Sequence, residues 1–322
     1  MKVLITGGLG FIGGRLAKHL VEIGHEVVLG TRQTLIPPIW LPNAKMALID
    51  WGSDRSITNA CLDVELVIHS AGMNSKDCEL NPVEAHNFNG KATSKILTAA
   101  IANGVKTFIY ISTAHVYSNP LQGYIDETTI PNNSHPYATS HLEGEQYVTA
   151  ANEQELINSV VIRLSNAYGT PTNPEVKCWS LFVNDLCNQA ISTRLLRFSA
   201  SPVTQRNFIT LSDVCRIIST LVNKSQTQAL PPIINVGNTY SSTITQMARL
   251  IEERCKNVLS FKPNIVFNAL LKNSTNLPLD FKSLHADLFR DSLLDEKEAE
   301  IDNLILFCEE FSAVIQSTTE SK

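Results

Sequence analysis

Short apolar runs separated by stretches of helical period dominate the first half of the chain. Lys2–Thr6 (KVLIT), Glu26–Leu29, Lys45–Ile49, Leu66–His69, Lys106–Ser112 (KTFIYIS) and Ser159–Leu164 read as strands. The β-branched and aromatic content of Lys106–Ser112 marks a buried one. Phe11–Ile23, Pro82–Asn103 and Tyr137–Asn152 read as helices. Apolar strands spaced by helices predict parallel pairing with both sheet faces covered. The expected fold is α/β, a doubly wound parallel sheet that binds ligands at the carboxyl ends of its strands.

After Leu164 the rhythm loosens. Val176–Ile191, Ser212–Lys224 and Thr243–Lys256 read as helices, with shorter strands near Leu195–Ser199, Arg206–Thr210 and Ile233–Val236. Residues 263–295 show no clear period. The tail from Leu294 to about Ser317 is acidic and then apolar-periodic, which predicts a surface-packed helix. Ile36–Pro42 is a Pro-rich loop.

Composition narrows the classes. A chain of 322 residues can bury a large core, and its 43% hydrophobic and 18% charged residues are ordinary for a globular protein. A net charge of -5 argues against a nucleic-acid partner held on a basic face. No apolar run reaches the length of a membrane span. The amino terminus enters a strand and a glycine turn directly, without a secretory pattern. Seven scattered cysteines, an odd number without a C-x-x-C pair, fit reduced, buried thiols in a cytoplasmic protein; no metal site is expected.

Thr6-Gly7-Gly8-Leu9-Gly10-Phe11-Ile12-Gly13 joins the first strand to the first helix. Glycines three apart suit a tight turn, close backbone approach of a pyrophosphate, and tight packing of helix on strand, with the helix N-terminus facing the phosphates. A Rossmann dinucleotide-binding domain over residues 1–165 follows, with returning segments near 206–240 and a smaller α/β substrate-binding region over 166–322. A fold of this kind that prefers NAD usually ends its second strand with an acid. Here the strand ends Leu29-Gly30-Thr31-Arg32, and a 2′-phosphate would suit the Arg32 guanidinium. Arg15 is a second candidate contact. NADP(H) is therefore favoured, with NAD(H) possible.

TGGLGFIG resembles the opening of the extended short-chain dehydrogenase/reductases, the family of nucleotide-sugar epimerases, dehydratases and reductases, and the resemblance runs over roughly residues 1–255. Through it, Gly7, Gly10, Phe11, Ile12 and Gly13 are expected at the cofactor. So are Asp50 and Trp51 (LIDW), Ser70, Ala71 and Gly72 (VIHSAG), Asn89 and Leu164. Ala92 stands where the family usually has glycine. Thr113, in ISTAHVY, holds the place of the family Ser/Thr that bonds the substrate oxygen. Tyr137-Ala138-Thr139-Ser140-His141 resembles YxxSK, so Tyr137 would exchange a proton with the carbon-bound oxygen while hydride moves to or from the nicotinamide.

The family lysine is His141 here. A lysine would bond the nicotinamide ribose and lower the tyrosine pKa by its charge; a histidine is mostly neutral at pH 7. Three readings stay open: His141 substitutes for the lysine, His115 helps, or the chain binds cofactor without turnover. His115 can equally be a satisfied strand-end histidine. Family dehydratases carry an acid pair where this chain has Ala114-His115, which disfavours dehydration.

In the second half, Arg163-Leu164-Ser165-Asn166-Ala167-Tyr168-Gly169 resembles RLSNVYG, and Gln205-Arg206-Asn207-Phe208-Ile209 resembles RDF(I/V). The resemblance assigns Asn166 and Arg206 to the substrate, with Arg206 on a phosphate; Asn74 and His115 are further substrate candidates. Ile234-Asn235-Val236-Gly237 matches NVG. The leading expectation is NADP(H)-dependent reduction of a keto group on a nucleotide-linked sugar. A 4-epimerase with retained NAD and a non-catalytic dinucleotide-binding regulator are the alternatives. Relatives pair through two long helices, so a homodimer through 82–103 and 137–152 is also expected.

Overall fold

The structure is a computed structural model that describes residues 1–33, 36–267 and 278–320. In chain order β1 (Lys2–Thr6), α1 (Phe11–Glu22), β2 (Glu26–Thr31), β3 (Lys45–Leu48), α2 (Asp54–Ala60), β4 (Leu66–His69) and α3 (Ser75–Leu80) come first. Three helical segments follow end to end: α4 (Pro82–Ala85), a π-helical turn (His86–Lys91) and α5 (Ala92–Ala102). Next are β5 (Thr107–Thr113), β6 (Gly123–Ile125), α6 (Pro136–Glu153), β7 (Asn158–Leu164) and β8 (Asn166–Tyr168). The remainder comprises α7 (Phe182–Ser192), β9 (Leu195–Phe198), β10 (Gln205–Arg206), β11 (Phe208–Thr210), α8 (Leu211–Lys224), β12 (Ile233–Val236) and β13 (Ser242–Thr243), then α9 (Ile244–Leu259), β14 (Asn264–Phe267), β15 (Leu279–Phe281), α10 (Lys297–Glu310) and α11 (Ser312–Glu320).

Seven strands form one parallel sheet in the order β12-β7-β5-β4-β1-β2-β3. The winding reverses between β1 and β4, the place where such sheets leave a crevice. Pleating explains why these strands are apolar throughout. Val3 and Ile5 of β1 face one core with Leu16 and Leu20 of α1 and Val214 and Ile218 of α8. Leu4 faces another core with Phe108 of β5, Ile96 and Ala100 of α5 and Val148 of α6. Both faces of the inner strands are covered, so neither carries a polar period, while the edge strand β3 is partly exposed. A separate core in the carboxyl-terminal half gathers Leu186 of α7, Ile251 of α9 and Leu304 of α10. All seven cysteines are buried. Burial pushes the thiols of Cys61, Cys215 and Cys255 up to about 12, which makes them inert packing groups.

The expected strands of the first half are present within one or two residues. The helix expected over 82–103 instead contains the π-helical turn over His86–Lys91. The helix expected from Val176 begins only at Phe182. Val176, Cys178 and Trp179 are buried as loop residues, so their apolar spacing reflected packing rather than helix. The strand expected over Arg206–Thr210 is broken into β10 and β11 at Asn207, whose side chain ties to the 238–240 segment instead of extending a ladder. Two short helices, α2 and α3, had no usable period, yet each starts on a side-chain cap, Ser53 and Asn74. Part of the unpatterned 263–295 stretch lies outside the described residues. The rest supplies β14 and β15, which pair with β9 and β6. The tail helix is present as α10 and α11. No helix among the described residues is long and apolar enough to cross a membrane, and no metal-ligating cluster occurs among them.

Candidate active site

The carboxyl ends of the central strands open into one cavity of about 1110 Å³. Every candidate site residue lines it except Arg15, Asp50 and Asn89. Asp50 is exposed, and its carboxylate accepts from the Gly52 amide at 2.9 Å. Asn89 is buried behind the wall. Its Oδ1 accepts from the Met73 amide at 2.8 Å and its Nδ2 donates to Ser140 Oγ at 3.0 Å. Neither lines the cavity.

One end of the cavity is made of backbone. Gly7 adopts φ +67°, and a Cβ there would meet Ala71 N at 2.9 Å. A Cβ on Gly13 would lie 2.3 Å from Gly7 O, so these two positions exclude side chains. Helix α1 starts after Gly10 with no side-chain cap and no acid in its first turn. Its leading amides are thus left for an anion, as a dinucleotide pyrophosphate requires. The residues present fit that group.

Beyond the turn, Arg32 lies over the Phe88 ring, 5.0 Å from its centroid, and Phe88 meets Trp51 edge-on at 5.7 Å. Phe88 was not singled out from sequence, because only the π-helical turn aims it here. Arg15 does not reach this place. Its guanidinium donates to Thr170 O at 2.8 Å, Glu300 Oε1 at 2.9 Å and Ser212 Oγ at 3.0 Å. Its expected role at a 2′-phosphate is therefore corrected: it ties α1 to α8 and α10.

In the middle stands the proton-transfer candidate. His135 caps α6, its Nδ1 accepting from the Tyr137 amide, with Pro136 at the first helical position. That start fixes Tyr137 at the helix mouth, in the cavity that Thr113 also lines. Burial pushes the Tyr137 pKa up, against a smaller lowering effect of the nearby Thr113 hydroxyl. His141 is one turn along, its ring edge-on to Tyr137 with centroids 4.6 Å apart. Burial holds His141 down at about 4, so it is neutral at pH 7. The next turn carries Glu145, which with Arg163 forms a buried ion pair at 2.6 Å and accepts from Ser112 Oγ at 2.5 Å. This unit locks α6 to β5 and β7 beneath Thr113 and Tyr137. A carboxylate at the 137-141-145 spacing on a buried helix face was the signal for it.

The other end is made of side chains on short strands, on the turn after β5 and at the start of α7. Arg206 lies 5.2 Å over the Phe182 ring, and burial lowers its pKa. His115 lies close to Arg206, and its pKa is lowered by burial first and by Arg206 second. It therefore belongs to the Arg206 side of the cavity. Asn207, standing where the resembling motif has aspartate, donates to Asn238 O at 2.8 Å and Tyr240 O at 3.1 Å and accepts from the Asn238 amide at 2.9 Å. An amide can make all three bonds; a carboxylate cannot donate.

The sheet order, with a glycine turn at its switch point, defines a doubly wound dinucleotide-binding fold. The chain belongs to the NAD dependent epimerase/dehydratase family, which matches residues 3–237. It is 28% identical over 263 residues to the mouse dTDP-D-glucose 4,6-dehydratase, covering 77% of this chain and 71% of that one. It is 35% identical over 130 residues to a UDP-glucose 4-epimerase of Klebsiella pneumoniae, covering 37% of this chain and 94% of that sequence. The fold matches that of UDP-glucuronic acid 4-epimerase from Bacillus cereus in complex with NAD, with a TM-score of 0.77 at 20% identity over 97% of this chain and 98% of that one.

Proposed function

We propose that the chain binds a nicotinamide dinucleotide along the glycine turn and inverts a carbinol centre of a nucleotide-linked sugar, as a 4-epimerase with retained NAD. The observation that carries this reading is the convergence of Thr113 and Tyr137 on the same cavity as the glycine turn. The names of the relatives and the NAD in the matching Bacillus cereus structure support the same choice. Bound there, the nicotinamide would accept and return hydride. Tyr137 would take the proton of the sugar hydroxyl and give it back, and Thr113 would hold the oxygen in line. Arg206 would pair with the diphosphate. Dehydration is disfavoured because Ala114-His115 stand where an acid pair is needed.

Two observations favour a second reading, NADP(H)-dependent reduction of a keto sugar. Arg32 rather than an acid closes the second strand. Tyr137, held protonated by burial, is already in the form a ketone reduction uses. The dinucleotide released on denaturing the purified protein separates the two. Retained NAD supports epimerisation, and exchangeable NADPH consumed with a keto sugar supports reduction. Wild-type turnover by Tyr137→Phe on UDP- and dTDP-sugars would remove the role given to Tyr137 in both, whereas a wild-type chain that binds dinucleotide and turns over neither class of sugar would leave the regulator reading. We further propose a homodimer through the α5 and α6 surfaces, which light scattering of the full chain checks.

A further inference from the structure

His141 does not stand alone at the lysine position. Its Nδ1 lies 2.9 Å from the hydroxyl of Tyr110, a side chain of β5 that is buried on the far side from the cavity. The two rings are near-parallel with centroids 5.9 Å apart, and Tyr110 in turn stacks on His69 at 5.5 Å. Gly144 allows this approach, since a Cβ there would meet the Tyr110 hydroxyl at 2.7 Å.

The single phenolic proton has two acceptors to choose from. Asn89 O is 3.4 Å away and already accepts from Thr93 Oγ1 at 2.6 Å. His141 Nδ1 is nearer and has no other partner among the described residues. The proton therefore goes to Nδ1. A neutral imidazole has one N–H, so it is then on Nε2. His141 lines the cavity beside Gly72, where a Cβ would lie 3.9 Å from Nε2.

We propose that Tyr110 is a positioning residue: by donating to His141 Nδ1 it fixes the Nε2–H tautomer and gives the cavity a neutral hydrogen-bond donor where related chains present an ammonium. The inference rests on the proposed dinucleotide site and deepens it. It assigns to a buried phenol, one element away, the orientation of the group that would meet the nicotinamide ribose. The Tyr110 pKa is raised well above its usual value by burial, so the phenol keeps its proton to donate.

The test uses the full chain, with NAD and NADP as probes. Nitrogen NMR of histidine-labelled wild-type protein without ligand should show His141 as the Nε2–H tautomer; an Nδ1–H tautomer overturns the proposal even if dinucleotide binds. By calorimetry, Tyr110→Phe should weaken dinucleotide binding roughly three- to tenfold, the loss expected for one hydrogen bond. In a His141→Lys background the same Tyr110→Phe change should have little effect, because an ammonium needs no tautomer fixed. An equal loss in both backgrounds would show that Tyr110 acts only by packing, and overturns the proposal. Unchanged affinity of Tyr110→Phe alone does so too. A wild-type chain that binds neither dinucleotide removes the site reading and this inference together, whereas an intact tautomer and cycle alongside absent sugar turnover removes only the proposed reaction.

Discussion

The dinucleotide end of the cavity is built from backbone, and the sugar end from side chains. At the first, Gly7 and Gly13 bring main chain so close that no Cβ fits, and the ligand would meet amides at a helix start. At the second, Arg206 and Asn166 stand on two-stranded fragments and His115 on the turn after β5, with long-range polar clamps nearby. Glu300 of α10 accepts from Arg15, from the amides of Thr170 and Ser212, and from the Ser212 hydroxyl. Glu127 accepts from the Asn235 and Leu284 amides and from Ser283 Oγ. A backbone site is insensitive to side-chain exchange except at glycine, while a clamped site can be retuned by a single carboxylate.

The contrast can be broken at several strengths. The largest effect belongs to the group between the two ends: Tyr137→Phe should lower kcat about 10²- to 10⁴-fold with dinucleotide affinity nearly unchanged. Steady-state kinetics and calorimetry read both, and a parallel loss of affinity would show a structural role instead. At the clamped end, Glu300→Ala leaves the partly buried Arg15 uncompensated and should cost about 3 kcal/mol in urea unfolding. A change under about 0.5 kcal/mol would mean that the clamp is dispensable.

At the backbone end, Gly13→Ala should cost about 1–3 kcal/mol and remove dinucleotide binding, because the new methyl overlaps Gly7 O. Retained affinity would mean that the turn adjusts.

Acid should loosen the same end. His69, buried between Thr6 Oγ1 and Thr93 Oγ1, is held down at about 3, and His141 at about 4. Each takes a proton near pH 6.5 when unfolded but refuses it when folded. Their contribution is thus complete above pH 6.5 and is lost as pH falls towards 4 and then 3. Between pH 7 and 5 each should remove about 2 kcal/mol. A flat stability profile over that range would sink this reading, and His141→Gln should remove about half the slope.

The smallest effect sharpens the centre. His141→Lys should raise turnover at pH 8 by roughly tenfold for each unit by which the ammonium lowers the Tyr137 pKa. No gain with the fold intact would mean that His141 is adapted to its place.

What the sequence determined by itself was local. The strand–glycine turn–helix order, the apolar strands and the Tyr137–His141 spacing each lie within about fifteen residues, where period and steric need leave a readable mark. The tertiary structure decided the rest. It drew Arg15 away to Glu300, a residue 285 positions later, and kept Asp50 and Asn89 off the cavity wall. It aimed Phe88 under Arg32 through a π-helical turn and set Tyr110 behind His141. Those outcomes depend on which side chains from distant elements share one buried hydrogen bond or ring contact. Such a choice is made by packing, because only burial makes an unpaired donor costly enough to select its partner.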